Sequence, residues 1–190
     1  MSFIGLGLFN GLNTWIESII RLHGFTPADA GKLGALMLGG GFLGAVIAPP
    51  LSDKQRRRKK FLLLGIVLSI PALLGLTFAK SFDLLLVSSF ALGFFSISTF
   101  PIGMQFAAEI TYPTPEGTSN GLIQFFGQAS VVFVYVMEAL KSADGSFTPS
   151  LLLAVGLLLL NAVIIARLHD PPMHETVTHA LAERSLNRLD

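Results

Sequence analysis

Six apolar stretches recur along this chain with only short polar connections between them. Each is close to the roughly 20 residues that a helix needs to cross a bilayer. The pattern predicts helices over residues 3–22, 28–49, 61–79, 84–108, 119–140 and 151–168, followed by a polar tail at 169–190. A soluble domain of this length carries about 25% charged residues. Here charged residues make up only 13% of 190, and hydrophobic residues 52%. The expected class is an all-α integral membrane protein whose bundle occupies residues 1–168 and has the lipid bilayer as its surroundings.

The connections carry the turn chemistry. Between the fourth and fifth stretches, Pro113, Pro115 and Gly117 break the helical pattern, and the same hinge carries two carboxylates, Glu109 and Glu116. This connection is too short to be a domain and too polar for lipid, so it reads as a turn at a bilayer surface. Thr118 or Ser119 is placed to cap the fifth helix, with Glu116 near its positive N-terminus. Thr26 is placed to cap the second helix, with Pro27 in its first position. That helix is rich in glycine, which lets membrane helices approach closely. Pro71 and Pro101 are expected to kink their helices.

Charge sets the expected orientation. Six of the thirteen basic residues fall in residues 54–60. A basic run can bind nucleic acid, but between two apolar spans it reads as a surface anchor, and no nucleic-acid partner is expected. The same side collects Arg167, Arg184 and Arg188, against Arg21, Lys32, Lys80 and Lys141 on the other. Basic residues accumulate on the cytoplasmic side. Both termini and the turn at 109–119 are therefore expected there. The chain has no cysteine, which excludes disulfides and cysteine-based metal sites. The first residues lack a basic flank and a cleavage site, so a secretory signal is not expected there.

Polar residues inside the spans mark the candidate site. On the fifth helix, Asn120, Gln124 and Gln128 recur at intervals of four, with Tyr135 seven further on, and so share one slowly drifting face. Amides at membrane depth need partners or a water-filled cavity. They either line a solute pathway or bond to neighbouring helices. On the first helix Asn10, Asn13, Thr14 and Glu17 form a second polar stripe. Glu17 can couple transport to an ion or simply pair with Arg21, four residues on. Glu109 and Glu116 are not accompanied by a nucleophile or metal ligand, so gating or a salt bridge to the basic loop is expected rather than acid–base chemistry. His169, His174 and His179 are spaced by five and fall on different helical faces. No metal, cofactor or enzymatic activity is expected.

Two segments carry a resemblance. PPLSDKQRRRKK, after a glycine-rich helix, resembles the loop between the second and third helices of each half of major facilitator superfamily transporters, G-x-x-x-D-R/K-x-G-R-R/K. Gly44, Asp53, Lys54, Arg57 and Arg58 correspond, and Arg56 replaces the second glycine. LGFF at 92–95, Pro101, Gly103, Phe106-Ala107 and EITYPTPEGTSNGL at 109–122 resemble the fourth and fifth helices of the C-terminal half of the feline leukaemia virus subgroup C receptor family. The resemblance implies one six-helix half, a 3+3 inverted repeat, of a twelve-helix fold that binds substrate between its halves. It further implies a cavity glutamine at Gln128 and a gate formed by Asp53, Arg57, Arg58, Glu109 and Glu116. Several members carry choline and ethanolamine, and quaternary amines favour aromatic cages. Asn10 stands where that family often has a cavity aromatic, with Trp15 and Phe9 nearest to compensate. The expected function is transport of a small polar or cationic solute by alternating access. It would be exercised with a missing N-terminal half or a second copy. A non-transporting relic or receptor-like membrane scaffold is the alternative.

Overall fold

The computed structural model describes residues 2–55, 57–79, 81–111 and 113–168. The expected tail at 169–190, with its three histidines, Arg184 and Arg188, lies outside the described residues, as do Arg56 and Lys80. The described chain is all-helical: α1 Ser2–Arg21, α2 Pro27–Gln55, α3 Arg58–Phe78, α4 Phe82–Ile110, α5 Glu116–Ala129, α6 Val132–Ala139 and α7 Thr148–Arg167. Five spans are long and apolar enough to cross a membrane: α2, α3, α4, α7 and the stretch Glu116–Ala139 made of α5 and α6. The 20-residue α1 is not among them, because its stripe of Asn10, Asn13, Thr14 and Glu17 dilutes its apolar residues.

Apolar side chains occupy the outside as well as the core. Phe42, Val46, Val67, Leu159 and Val163 are exposed on the bundle surface, while Leu33, Met37, Leu73, Leu76 and Leu85 are sealed inside. A helix that is hydrophobic all round belongs in a protein core or a membrane, and these outer faces lie outside the core of the described bundle.

Without a hydrophobic drive between helices in lipid, close backbone approach must supply the packing. The tightest contact, between α2 and α4, is built that way. Gly40 and Gly44 lie against the carbonyls of Phe90 and Phe94, and Gly93 against that of Met37. Gly7 and Gly11 of α1 do the same for the other side of the bundle, facing Ser130, Phe133 and Met137. α3 bridges α4 and α7, with Ser69 of α3 and Ser96 of α4 in hydroxyl contact at 3.2 Å.

The turns follow their expected chemistry in part. The amide of Asp29 donates to Thr26 Oγ1 at 3.3 Å, and that of Thr26 donates back to Asp29 Oδ2 at 3.2 Å. Pro27 is the first residue of α2, so this reciprocal cap agrees with the sequence. Three features differ. α2 runs through Pro49 and Pro50 to Gln55, which puts Asp53 and Lys54 in its last turn rather than in a loop. α5 starts at Glu116 without a side-chain cap, so neither Thr118 nor Ser119 has the expected role. Ser119 instead meets the Thr111 hydroxyl at 2.7 Å and clips α5 to the end of α4. Finally, the single helix expected over 119–140 is broken at Ser130–Val131.

Candidate functional site

The break is the natural place to start. The amides of Ser130, Val131, Phe133 and Val134 each donate to the carbonyl three residues back, at 2.8–3.2 Å. Local i→i+3 bonds of this kind tighten the helix and commonly mark a hinge or functional point. They arise where Gly7 lets α1 come within van der Waals distance of Ser130 and Phe133. Irregular backbone at membrane depth is tolerated where it lines a cavity or lies buried in protein.

A groove of about 660 Å³ lies against this break, between α1 and α6. Asn10, Asn13 and Thr14 line it from α1, together with Phe9 and Trp15; Tyr135 and Glu138 line it from α6. Contacts of Trp15 tie the groove's walls together. Trp15 Nε1 donates to the Val134 carbonyl at 3.1 Å, and its ring stacks on Phe147 with centroids 5.3 Å apart. Asn13 Nδ2 donates to the Phe9 carbonyl at 3.0 Å, and Thr14 Oγ1 to the Asn10 carbonyl at 2.8 Å. Asn13 and Thr14 therefore spend donor capacity on their own helix, leaving Asn13 to offer its amide oxygen to a guest. Tyr135 is 72% exposed. The Glu138 carboxylate, 3.8 Å from Lys141 Nζ, is exposed as well. Amide oxygens, an aromatic ring and a carboxylate make an environment suited to a cation.

The sequence-predicted residues are thus only partly brought together. Asn10 and Asn13 share the groove with Tyr135. Gln124 and Gln128 lie on the exposed face of α5, outside the groove lining. Asn120 is half-buried with its Oδ1 unbonded. Glu17 is exposed and forms no ion pair with Arg21 among the described residues. Glu138 was not expected from the sequence. Its only signal is a lone acid three residues after Tyr135, next to the turn that contains Lys141.

A second polar cluster closes one end of the bundle. Arg58, at the start of α3, reaches Asp53 of α2 at 3.0 Å and Glu109 of α4 at 3.1 Å. Lys59 Nζ donates to the Leu168 carbonyl just beyond α7, a favourable place for a cation at a helix C-terminus. Four helices are thereby tied at one end. Arg57 and Glu116 are exposed and form no ion pair among the described residues. No group of three or more metal-ligating side chains occurs among the described residues.

A family model described as Major Facilitator Superfamily matches residues 1–187. An uncharacterized protein of Archaeoglobus fulgidus is 34% identical over 173 residues, covering 90% of this chain and 77% of that protein. The choline/ethanolamine transporter FLVCR2 of Rattus norvegicus is 27% identical over 165 residues, and FLVCR1 of Mus musculus 30% over 142. These matches cover 84% and 73% of this chain but only 30% and 25% of the two mammalian proteins. The chain therefore spans less than a third of those relatives. The relatives with assigned activities are transporters, not enzymes.

Proposed function

We propose, for a chain that belongs to the Major Facilitator Superfamily, that it is the six-spanning half of a carrier for a small cationic solute. In this reading α1 joins the five apolar spans as a sixth, its amide stripe turned to the solute path rather than to lipid. The second bundle is an N-terminal half or another copy of the chain, and the two rock against each other in alternating access. Asp53, Arg58 and Glu109 form the inward gate, with Arg57 and Glu116 flanking it.

The observation that carries the reading is the groove at the helix break. Half-helices meeting at a substrate site recur in transporters. Here the break puts Tyr135 and Glu138 opposite Asn10, Asn13 and Trp15. Two relatives named as choline/ethanolamine transporters make an ammonium headgroup the favoured solute class. Glu138 supplies the counter-charge, and Trp15 and Tyr135 supply the rings that the amide at Asn10 does not. Gln124 and Gln128, exposed on α5, are placed to face the second bundle.

Uptake of labelled choline and ethanolamine by proteoliposomes containing the chain tests this. Saturable uptake is expected, rising more steeply than linearly with protein density if two copies pair. Glu138→Gln should lower kcat/KM by about tenfold, the loss of roughly one charge-assisted contact, and Gln128→Ala should weaken uptake with insertion intact. Uptake absent at every density, or unchanged in both variants, would leave a non-transporting scaffold as the better reading.

A further inference from the structure

A separate cavity of about 190 Å³ lies inside the bundle, among α1, α3, α4 and α7. Its walls are mainly apolar, with Phe9, Leu62, Ile66, Phe100 and Leu158 among them. One amide interrupts them. Asn161, in an otherwise Leu-, Ile- and Val-rich helix, is only 3% exposed and lines this cavity. Its Oδ1 has no hydrogen-bond partner, although buried polar atoms in folded proteins are nearly always bonded.

The neighbouring hydroxyls have no proton left for it. Ser69 Oγ donates to the Gly65 carbonyl at 2.8 Å. Ser69 has a single hydroxyl proton, so in the 3.2 Å contact with Ser96 it is Ser96 Oγ that donates. Thr99 Oγ1 donates to the Ser96 carbonyl at 2.6 Å. All three residues line the cavity. The hydroxyls therefore offer only acceptors, the Asn161 amide adds N–H donors beside its Oδ1, and the lining contains no ionisable side chain.

We infer that this cavity is a binding site for a small uncharged amphiphile, a phenol or short alkanol, whose hydroxyl bonds to the Asn161 side-chain amide. Three properties select that class. The absence of an ionisable wall residue rejects ions, and the unbonded buried amide selects a guest with a hydrogen-bonding group. The remaining volume suits a hydrocarbon body: an apolar cavity of about 150 Å³ stays dry and accepts benzene, whereas a buried water wants two to four polar partners. The site is distinct from the α1–α6 groove and does not rest on the transport reading. Phe9 lines both, so an occupant bears on the side chain that also walls the groove.

The test compares 4-fluorophenol with fluorobenzene, which lacks the hydroxyl. Binding to the full chain in lipid nanodiscs is followed by fluorine NMR against empty nanodiscs. Beyond partition into lipid, 4-fluorophenol should bind about tenfold tighter than fluorobenzene, the worth of one buried hydrogen bond. Asn161→Leu should bring the two ligands to near parity, and Leu158→Phe, which fills the cavity, should abolish binding of both. Equal binding of the two ligands to the unmodified chain overturns the inference. So does a preference that survives Asn161→Leu, or signal no greater than that of empty nanodiscs. If Asn161→Leu does not fold, Leu158→Phe decides alone, and undiminished binding to it counts against the site.

Discussion

Arg58 joins three helices through one side chain. It is 11% exposed, while its partners differ: Glu109 is 23% exposed and Asp53 58%. An exposed ion pair contributes little because water and salt screen it. Unpairing a half-buried carboxylate strands a charge, which costs more. Arg58→Gln should therefore destabilise the protein by about 2 kcal/mol, and the same change in a Glu109→Gln background by clearly less. Asp53→Asn alone should cost under about 0.5 kcal/mol. Unfolding in detergent measures all four, and equal losses for Arg58→Gln in both backgrounds would show that the Glu109 contact is idle. Lysine should not restore stability, because a point charge cannot serve two carboxylates as a guanidinium fork does. Asp53, Arg58 and Glu109 were legible as polar residues clustered at one end of the spans. Which acid Arg58 takes was not, since Glu109 and Glu116 look equivalent along the chain. The three-dimensional choice follows from α4 reaching Ile110 before it turns, which leaves Glu109 within reach and Glu116 in the exposed first turn of α5.

The approximate positions of the spans follow from hydropathy, because every backbone group in lipid must be satisfied within its own segment. Helix contacts do not. Gly31, Gly34, Gly39, Gly40, Gly41 and Gly44 read as one glycine-rich surface, yet only Gly40, Gly41 and Gly44 touch α4, and Gly31, Gly34 and Gly39 face open space. Three consecutive glycines necessarily point in three directions, so periodicity could not say which of them pack. The break at Ser130 was hidden for a similar reason: it sits against Gly7 of another helix, a contact no local pattern reveals. A matched pair of substitutions separates the two kinds of glycine. A methyl at Gly93 runs into the backbone carbonyl of Met37, which cannot yield as a side-chain tip would. Gly93→Ala should cost about 2 kcal/mol or more through overpacking. Gly39→Ala should be neutral or stabilising by up to about 1 kcal/mol, from helix propensity alone. Thermal unfolding of the two variants in detergent should bracket the parent, and similar melting temperatures would contradict the close α2–α4 approach.

At the scale of the whole molecule, the charges at the two ends and the polar and apolar faces make one joint statement about how the bundle sits in a bilayer. Lys54, Arg57, Lys59, Lys60 and the Arg58 network close one end, while Lys32 and Lys141 lie at the other. The bundle presents lipid-compatible side chains on α7, such as Leu160, but amides on α5 at Gln124 and Gln128. An amide pair facing hydrocarbon would be costly, so this face should meet water or a second bundle. The chain contains no cysteine, so each introduced thiol reports on its own position without background. Lys54→Cys should react with a membrane-impermeant maleimide only from the cytoplasmic side, and Lys141→Cys only from the opposite side, as the distribution of basic residues requires. Gln128→Cys should react from water at a rate well above that of Leu160→Cys, and addition of the second half or of excess unlabelled chain should slow it as the face is covered. If Gln128→Cys were as inert as Leu160→Cys, the amide face would lie in lipid, and the solute path would have to run elsewhere than between two bundles.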